Sequence, residues 1–194
     1  ARGAIVRVRP QNLVAHRQAP VVIGERLVQA LRARQACRDV REVDGHVELV
    51  ARGGADGAHL TRLTALEDAL PSLKPDRIAG VGGLATRHDA MAAGERGADY
   101  VLFGEPDAGG QRPSVEAIAE RLQWWDELFE PPCIGFAASR EEASEFAAAG
   151  ADFVMVGDFI WADPRGARAA LIDAGEAIAA AHAAAFGKAK AGQG

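Results

Sequence analysis

The sequence predicts an α/β fold, a (β/α)8 TIM-type barrel, and three observations indicate it. Short apolar, β-branched runs alternate with longer segments of helical period along the chain, which favours parallel strands joined by crossover helices. A Gly-Ala-Asp phrase recurs between helix and strand at 54–56, 97–99 and 150–152. Glycine just past a helix suits a left-handed residue, so the phrase indicates equivalent turns. Glycines also end several strands, where barrel active sites are built.

The individual elements follow from these runs and turns. Strands are predicted at Gly3–Arg9, Val40–Val43, Gly57–Leu60, Arg77–Val81, Ala98–Gly104, Cys133–Ala137 and Asp152–Ile160. Helices are predicted at Val21–Ala36, Val47–Arg52, Ala65–Leu73, Arg87–Arg96, Val115–Phe129, Arg140–Ala149 and from about Arg165 to Phe186. This is one strand fewer than a complete barrel needs. The sequence begins at Ala1, so we expect the first βα unit to be missing from this chain.

One domain is expected over residues 1–194, with a C-terminal helix and tail at 175–194. An open doubly wound sheet is the alternative fold. It is disfavoured because no G-x-G-x-x-G follows a strand, whereas glycines stand at three strand ends. These are Gly82-Gly83, Gly104 and Gly157.

The composition and net charge of the chain limit which binding partners are expected. The chain has 194 residues, of which 48% are apolar and 25% charged, and a net charge of -5, which argues against a nucleic-acid or anionic-membrane surface. Cys37 and Cys133 have no metal-like spacing and are interpreted as packed thiols. We find no leader sequence and no continuous apolar run of 18 residues, so a cytoplasmic location without membrane contact is expected.

Three arginines are candidates for an anion site. The loop from Gly104 to Arg112 follows a buried strand, so in a barrel it would place Arg112 over the mouth; an ordinary surface loop is the alternative. Arg7 and Arg9 lie on one face of a strand, and arginines inside a barrel need an anion. In an open sheet the same two residues would instead be an exposed edge pair.

Other polar and aromatic residues have simpler structural interpretations. The histidines form no catalytic constellation: His16, His46, His59, His88 and His182. Thr86 is predicted to cap the helix that carries His88, and Ser139-Arg140-Glu141-Glu142 is predicted to be a capping box. Trp124 and Trp125 are interpreted as packing or dimer-contact residues.

The segments GADGAHL, GADYVLFG and GADFVMVGDFI give the chain a resemblance to the thiamine phosphate synthase and TenI family of barrels. The resemblance runs from about Gly3 to Pro164 and is most specific at GADYVLFG. It implies that the missing unit is the family's first strand and helix. It also implies the joining of a pyrimidine diphosphate to a thiazole phosphate with loss of pyrophosphate, using Mg²⁺. The TenI branch tautomerises the thiazole phosphate instead.

The family's anion-binding positions are partly kept. Its Gln-x-Arg-x-Lys strand falls on Ile5, Arg7 and Arg9, and the lysine of its sixth loop falls on Arg112, so the resemblance implies three cations at the mouth. Its hydroxyl-bearing segment ends at Thr86, and its Gly-Gly phosphate cradle becomes Ala137-Ala138. Gly157 ends the last strand, where the family's serine is replaced by Asp158. A carboxylate there would repel phosphate.

The family's metal and acid/base positions are not kept. Its Asn-Asp pair becomes Asp44-Gly45, and its second acidic position becomes Thr64. Asp44 is therefore the one remaining candidate metal ligand, and Mg²⁺ is expected only if the synthase activity is retained. Ala85 replaces the histidine of the tautomerase branch.

Three functions remain open at this point. The first is a thiamine phosphate synthase whose arginines neutralise the pyrophosphate. The second is a non-catalytic family member that binds a phosphorylated or otherwise anionic small molecule. The third is a structural, homodimerising subunit that acts through the helix of Trp124 and Trp125.

Overall fold

A computed structural model describes the backbone of residues 4–7, residues 47 and 50, and residues 57–186. The predicted helix Val21–Ala36 and strand Val40–Val43 lie outside the described residues. The fold is α/β and divides into two compact units. One unit is Val14–Leu102, and the other joins Ala1–Leu13 to Phe103–Gly194.

The unit Val14–Leu102 alternates strand and helix. Its described elements are β2 (Gly57–Leu60), α1 (Leu63–Leu73), β3 (Ile78–Val81), α2 (Arg87–Glu95) and most of β4 (Tyr100–Phe103). β3 pairs in parallel with both β2 and β4, as crossover helices require. α1 buries Leu66, Ala69 and Leu73, which recur at helical spacing.

The other unit continues the alternation from the end of β4. Its elements are β1 (Ala4–Arg7), α3 (Val115–Leu128), β5 (Cys133–Ala137), α4 (Arg140–Ala148), β6 (Phe153–Val156) and α5 (Ala167–Phe186). β5 and β6 pair in parallel, and a short 3-10 helix, Asp158–Ile160, follows β6. Every residue of β5 is buried, including Cys133, as the packed-thiol interpretation requires.

The first strand corrects one prediction. We expected parallel pairing throughout, but β1 pairs antiparallel with β6, so that Ala4 lies opposite Val156 and Arg7 opposite Phe153. The parallel rule depends on a crossover helix between consecutive strands. Because β1 and β6 are not consecutive in the chain, the rule does not apply to this pair.

The Gly-Ala-Asp turns are equivalent in structure where they are described. The carboxylate of Asp99 accepts a hydrogen bond from Ala79 N–H at 2.7 Å, and that of Asp152 accepts one from Cys133 N–H at 3.0 Å. Each aspartate thus ties the start of its own strand to the start of the preceding strand. Gly97 and Gly150 are left-handed, with φ of 94° and 99°. The third turn, at 54–56, lies outside the described residues.

Replacing the two turn glycines by alanine should destabilise the fold unequally. At Gly97 a Cβ would meet nothing within 4 Å, so Gly97→Ala should cost only backbone strain of about 1–2 kcal/mol. At Gly150 a Cβ would lie 2.6 Å from an oxygen of Asp126, which should add about 1–3 kcal/mol. Urea unfolding would measure both values.

Gly175→Ala is the matched control, because Gly175 lies within α5 and a Cβ at this position would have open space around it. That change should stabilise the protein by about 0.5–1 kcal/mol. Equal losses for Gly97→Ala and Gly150→Ala would contradict the contact with Asp126.

The last helix has a composition that sequence inspection did not single out. By length and mean hydropathy, α5 is the one described helix that could cross a membrane. Its apolar character comes from alanine, and charged residues interrupt any continuous apolar run. α5 packs against α4 with one face, which buries Ala170, Ala174 and Ile178, while most of its other residues are exposed or half-buried.

Candidate anion site

The loop between β4 and α3 is held in a defined turn by one aspartate. Asp107 Oδ1 accepts hydrogen bonds from the N–H groups of Gly109 and Gln111, both at 2.8 Å. The backbone N–H of Asp107 also donates to the carbonyl of Gln111 at 2.8 Å. Ser114 then caps α3 by accepting from Ala117 N–H. Arg112, the residue before Pro113, therefore extends from a loop whose backbone is held by hydrogen bonds.

That residue, Arg112, reaches back to the carboxyl end of β5. Its Nη2 donates to the carbonyl of Phe136 at 2.9 Å, and its Nη1 donates to Glu142 Oε2 at 2.8 Å. The guanidinium carbon lies 5.6 Å from the centre of the Phe136 ring, within cation–π range. The Arg112 and Glu142 side chains are both 18% exposed, so this ion pair is shielded from solvent more than a surface pair.

One nitrogen of Arg112 has no acceptor. Nε is buried and makes no hydrogen bond within the described part of the chain. A buried donor left unsatisfied costs about 1–3 kcal/mol. An acceptor oxygen supplied by a ligand would remove that cost.

Glu142 connects Arg112 to the loop that follows β5. Ser139 caps α4 by accepting from Glu142 N–H at 3.2 Å, which confirms the capping half of the predicted box. The Glu142 carboxylate accepts from Ala138 N–H at 2.8 Å, with the same Oε2 that Arg112 contacts. One carboxylate oxygen therefore holds both an arginine and a loop amide.

The ends of β5 and β6 meet beside this group. Gly157 N–H donates to the Ala137 carbonyl at 2.9 Å. A Cβ at Gly157 would lie 3.2 Å from that carbonyl oxygen and 3.2 Å from the Phe136 ring. Gly157 therefore allows the two strand ends to approach closely. Asp158 follows it and is exposed.

The amino end of α4 stabilises negative charge. The pKa of the Glu141 carboxyl is lowered by a hydrogen bond from its own backbone N–H and then by the Ser139 side chain. Free N–H groups and the helix dipole at this end act in the same direction. Anionic groups such as phosphate bind at the N-termini of helices for the same reason.

Thr86 and His59 lie in the unit Val14–Leu102. Thr86 caps α2 as predicted: its hydroxyl accepts from Asp89 N–H at 3.0 Å, and Asp89 completes the capping box. The Thr86 hydroxyl proton remains free to donate, since capping uses only an oxygen lone pair. His59 is buried and its Nδ1 lies 2.9 Å from the Tyr100 hydroxyl, which fits a structural rather than a catalytic histidine.

Four of the predicted site residues lie together: Arg112, Ala137, Ala138 and Gly157. The structure does not bring the backbone of Arg7 to them. Arg7 lies opposite Phe153 at the amino end of β6, whereas Gly157 follows the carboxyl end. The cause is the antiparallel direction of β1. Arg9 and Asp44 lie outside the described residues, and a shared ligand for the three arginines stays a prediction.

The described residues do not supply a magnesium site. Thr64, at the family's second acidic position, is an exposed residue in the first turn of α1, and its neutral hydroxyl is a poor substitute for a carboxylate. Within the described residues no group of three His, Cys, Asp or Glu side chains could hold a metal ion.

Sequence reasoning missed the roles of Glu142 and Phe136. The Ser-x-x-Glu spacing indicated that Glu142 would face the helix start. It carried no sign that an arginine 30 residues earlier would bind the same carboxylate. Phe136 was assigned only to a strand, although its carbonyl and ring both contact Arg112.

Sequence comparisons with known proteins agree on one family. The sequence model described as thiamine monophosphate synthase matches residues 7–160. A thiamine-phosphate synthase of Rhodospirillum centenum is 39% identical, over 76% of this chain and 73% of that protein. One of Erythrobacter litoralis is 36% identical, over 80% of this chain and 75% of that protein.

Solved structures show a shared fold. A thiamine phosphate pyrophosphorylase from Pyrococcus furiosus matches with a TM-score of 0.56 and 20% identity, over 85% of this chain and 80% of that one. A mandelate oxidase matches with a TM-score of 0.52 and 17% identity, over 77% of this chain and 56% of that one. Since one fold serves differently named enzymes, the fold alone does not assign chemistry. The sequence matches do assign the family: this chain belongs to the thiamine monophosphate synthase family.

Proposed function

We propose that this protein is a thiamine phosphate synthase, which joins a hydroxymethylpyrimidine diphosphate to a thiazole phosphate in thiamine biosynthesis. The observation that carries the proposal is Arg112, held by an ordered loop at the carboxyl end of β5 beside Ala138. Relatives named thiamine-phosphate synthase at 39% and 36% identity support the same activity.

The described residues act on the departing pyrophosphate. As the bond between the pyrimidine methylene group and the diphosphate breaks and the thiazole is alkylated, negative charge develops on the leaving group. Arg112 neutralises that charge through its guanidinium group, whose buried Nε has no acceptor among the described residues. Ordering of the loop by Asp107 reduces the entropy lost when Arg112 engages the substrate. Arg9, which lies outside the described residues, stays a predicted anion-binding residue, whereas Arg7 lies opposite the amino end of β6 and is not assigned to this group.

The wider architecture belongs to the same proposal. The proposed architecture is a TIM-type barrel that forms one domain over residues 1–194. The protein acts in the cytoplasm, without nucleic-acid or membrane contact, on small phosphorylated molecules. The described residues do not fit Mg²⁺ at Thr64, so no step is assigned to the metal.

Incubation of the protein with both substrates and Mg²⁺ should release pyrophosphate stoichiometrically with thiamine phosphate. Arg112→Ala should slow this release at least tenfold, because the leaving group loses a charged donor. The rate of pyrophosphate release by Arg112→Lys should lie between those of the unchanged protein and Arg112→Ala, since lysine keeps the charge but not the planar guanidinium group. Absence of pyrophosphate release under enzyme excess would remove the synthase function.

The second candidate is a family member that only binds a phosphorylated or otherwise anionic molecule. It is favoured by Glu142, which already pairs with Arg112, and by the exposed carboxylate of Asp158 at the adjacent strand end. In that case phosphorylated thiazoles or pyrimidines should raise the melting temperature in a manner lost in Arg112→Ala, without turnover.

The third candidate, a homodimerising subunit acting through α3, has less support. Trp125 is fully buried within its own chain and cannot be a dimer contact. Trp124 is only half-buried. Size-exclusion chromatography of Trp124→Ala against the unchanged protein would test whether it holds a homodimer.

A further inference from the structure

Glu142 occupies the donors that a phosphate group would use. Its Oε2 accepts from Ala138 N–H at 2.8 Å and from Arg112 Nη1 at 2.8 Å. A phosphate oxygen at this edge would need the same loop amide and the same guanidinium. The carboxylate therefore stands where the ligand's oxygen would stand.

A second observation shows that Arg112 is not fully satisfied by this arrangement. Its Nη1 and Nη2 are engaged by Glu142 and by the Phe136 carbonyl, but its buried Nε has no acceptor among the described residues. A carboxylate and a carbonyl together leave this donor unused. A phosphate group, with several acceptor oxygens, can satisfy two or more guanidinium donors at once.

We propose that Glu142 is a specificity-determining residue: its carboxylate competes with the ligand's phosphate for Arg112 and the Ala138 amide. Phosphate binds only when the carboxylate is displaced, since two negative groups cannot share the same donors without repulsion. A ligand with little negative charge is thereby rejected. Only a group with a higher negative charge and several acceptor oxygens displaces the Glu142 carboxylate. This rests on the proposed function, in which this edge holds a substrate phosphate.

The test is direct binding of inorganic phosphate and of pyrophosphate, measured by calorimetry. Glu142→Gln keeps the size and one acceptor oxygen but removes the charge, so both anions should bind about tenfold tighter or better than to the unchanged protein. The gain should shrink as ionic strength rises. Arg112→Ala introduced into the Glu142→Gln protein should abolish the gain, because the guanidinium group that phosphate would bind is then gone.

Glu141→Gln is the matched control. It removes the same charge from the same first turn of α4, but Glu141 is exposed and interacts with its own backbone, Ser139 and Arg140. We expect its phosphate affinity to change less than threefold. If Glu142→Gln fails to fold, as judged by its melting curve, Glu142→Ala provides the same comparison.

Equal or weaker phosphate binding in Glu142→Gln or Glu142→Ala would overturn the proposal, since Glu142 would then only position Arg112. A gain of the same size in Glu141→Gln would also overturn it, because the effect would be general electrostatics. The result does not depend on turnover. Whether the unchanged protein releases pyrophosphate at all tests the synthase function separately from this competition.

Discussion

Trp125→Ala should lower the free energy of unfolding by about 3–5 kcal/mol, the range for emptying a large buried aromatic site. Trp125 is fully buried in α3. Its ring stacks on Phe129 at 4.3 Å between centroids and meets Phe103 edge-on at 5.9 Å. Its indole N–H donates to the Pro131 carbonyl at 2.7 Å. Truncation therefore removes both a packed ring and the bond that orders the turn into β5.

Trp124 provides the control for this change. It is the neighbouring residue on the same helix, but it is only half-buried and contacts the outer edges of Trp125 and Phe129. Trp124→Ala should cost no more than about 2 kcal/mol, in line with partial loss of apolar burial. Denaturant unfolding followed by circular dichroism would compare the two variants. A larger loss for Trp124→Ala than for Trp125→Ala would show that the core of α3 is wrongly identified.

Gly80→Ala should cost at least about 3 kcal/mol, near the upper end of the range for overpacking. Gly80 lies in β3, directly opposite His59 of β2 and Tyr100 of β4. The Tyr100 hydroxyl reaches His59 Nδ1 at 2.9 Å, and the two rings stack with 5.7 Å between centroids. The phenol ring consequently covers Gly80, and a methyl group there would overlap with it.

A double-mutant cycle would test this explanation. In a Tyr100→Ala background the overlap is absent, so Gly80→Ala should cost much less than in the unchanged protein. Tyr100→Phe, which removes only the hydroxyl, should cost about 1–2 kcal/mol through the lost hydrogen bond. If Gly80→Ala were equally costly with and without the Tyr100 ring, another contact would have to be responsible.

Local sequence signals predicted the elements well where they depend on near neighbours. Gly57–Leu60 and Cys133–Ala137 are strands with the predicted bounds, since each is a short apolar run between turn residues. Thr86 and Ser139 cap helices as predicted, because an N-cap is read within four residues. Predicted strands that included the flanking turns, such as Asp152–Ile160, are shorter in the structure.

Features that depend on distant pairing were not predictable. Nothing in the sequence around Ala4–Arg7 shows that this strand would run antiparallel to β6. The partners of Arg112 and His59 lie 30 and 41 residues away, respectively, and only the register of the strands decides which side chains meet. The family resemblance identified Arg112 as a site residue, but not the carboxylate that already holds it.

The aspartates of the Gly-Ala-Asp turns have a consequence for how this protein can change over evolution. They fasten neighbouring strands at their amino ends, while the arginine and its acidic partner sit at the carboxyl end of β5. The stability of the fold and the proposed ligand binding thus depend on opposite ends of the strands. Substitution of a few side chains at the carboxyl ends can change the ligand preference, while the aspartate hydrogen bonds at the amino ends continue to stabilise the fold.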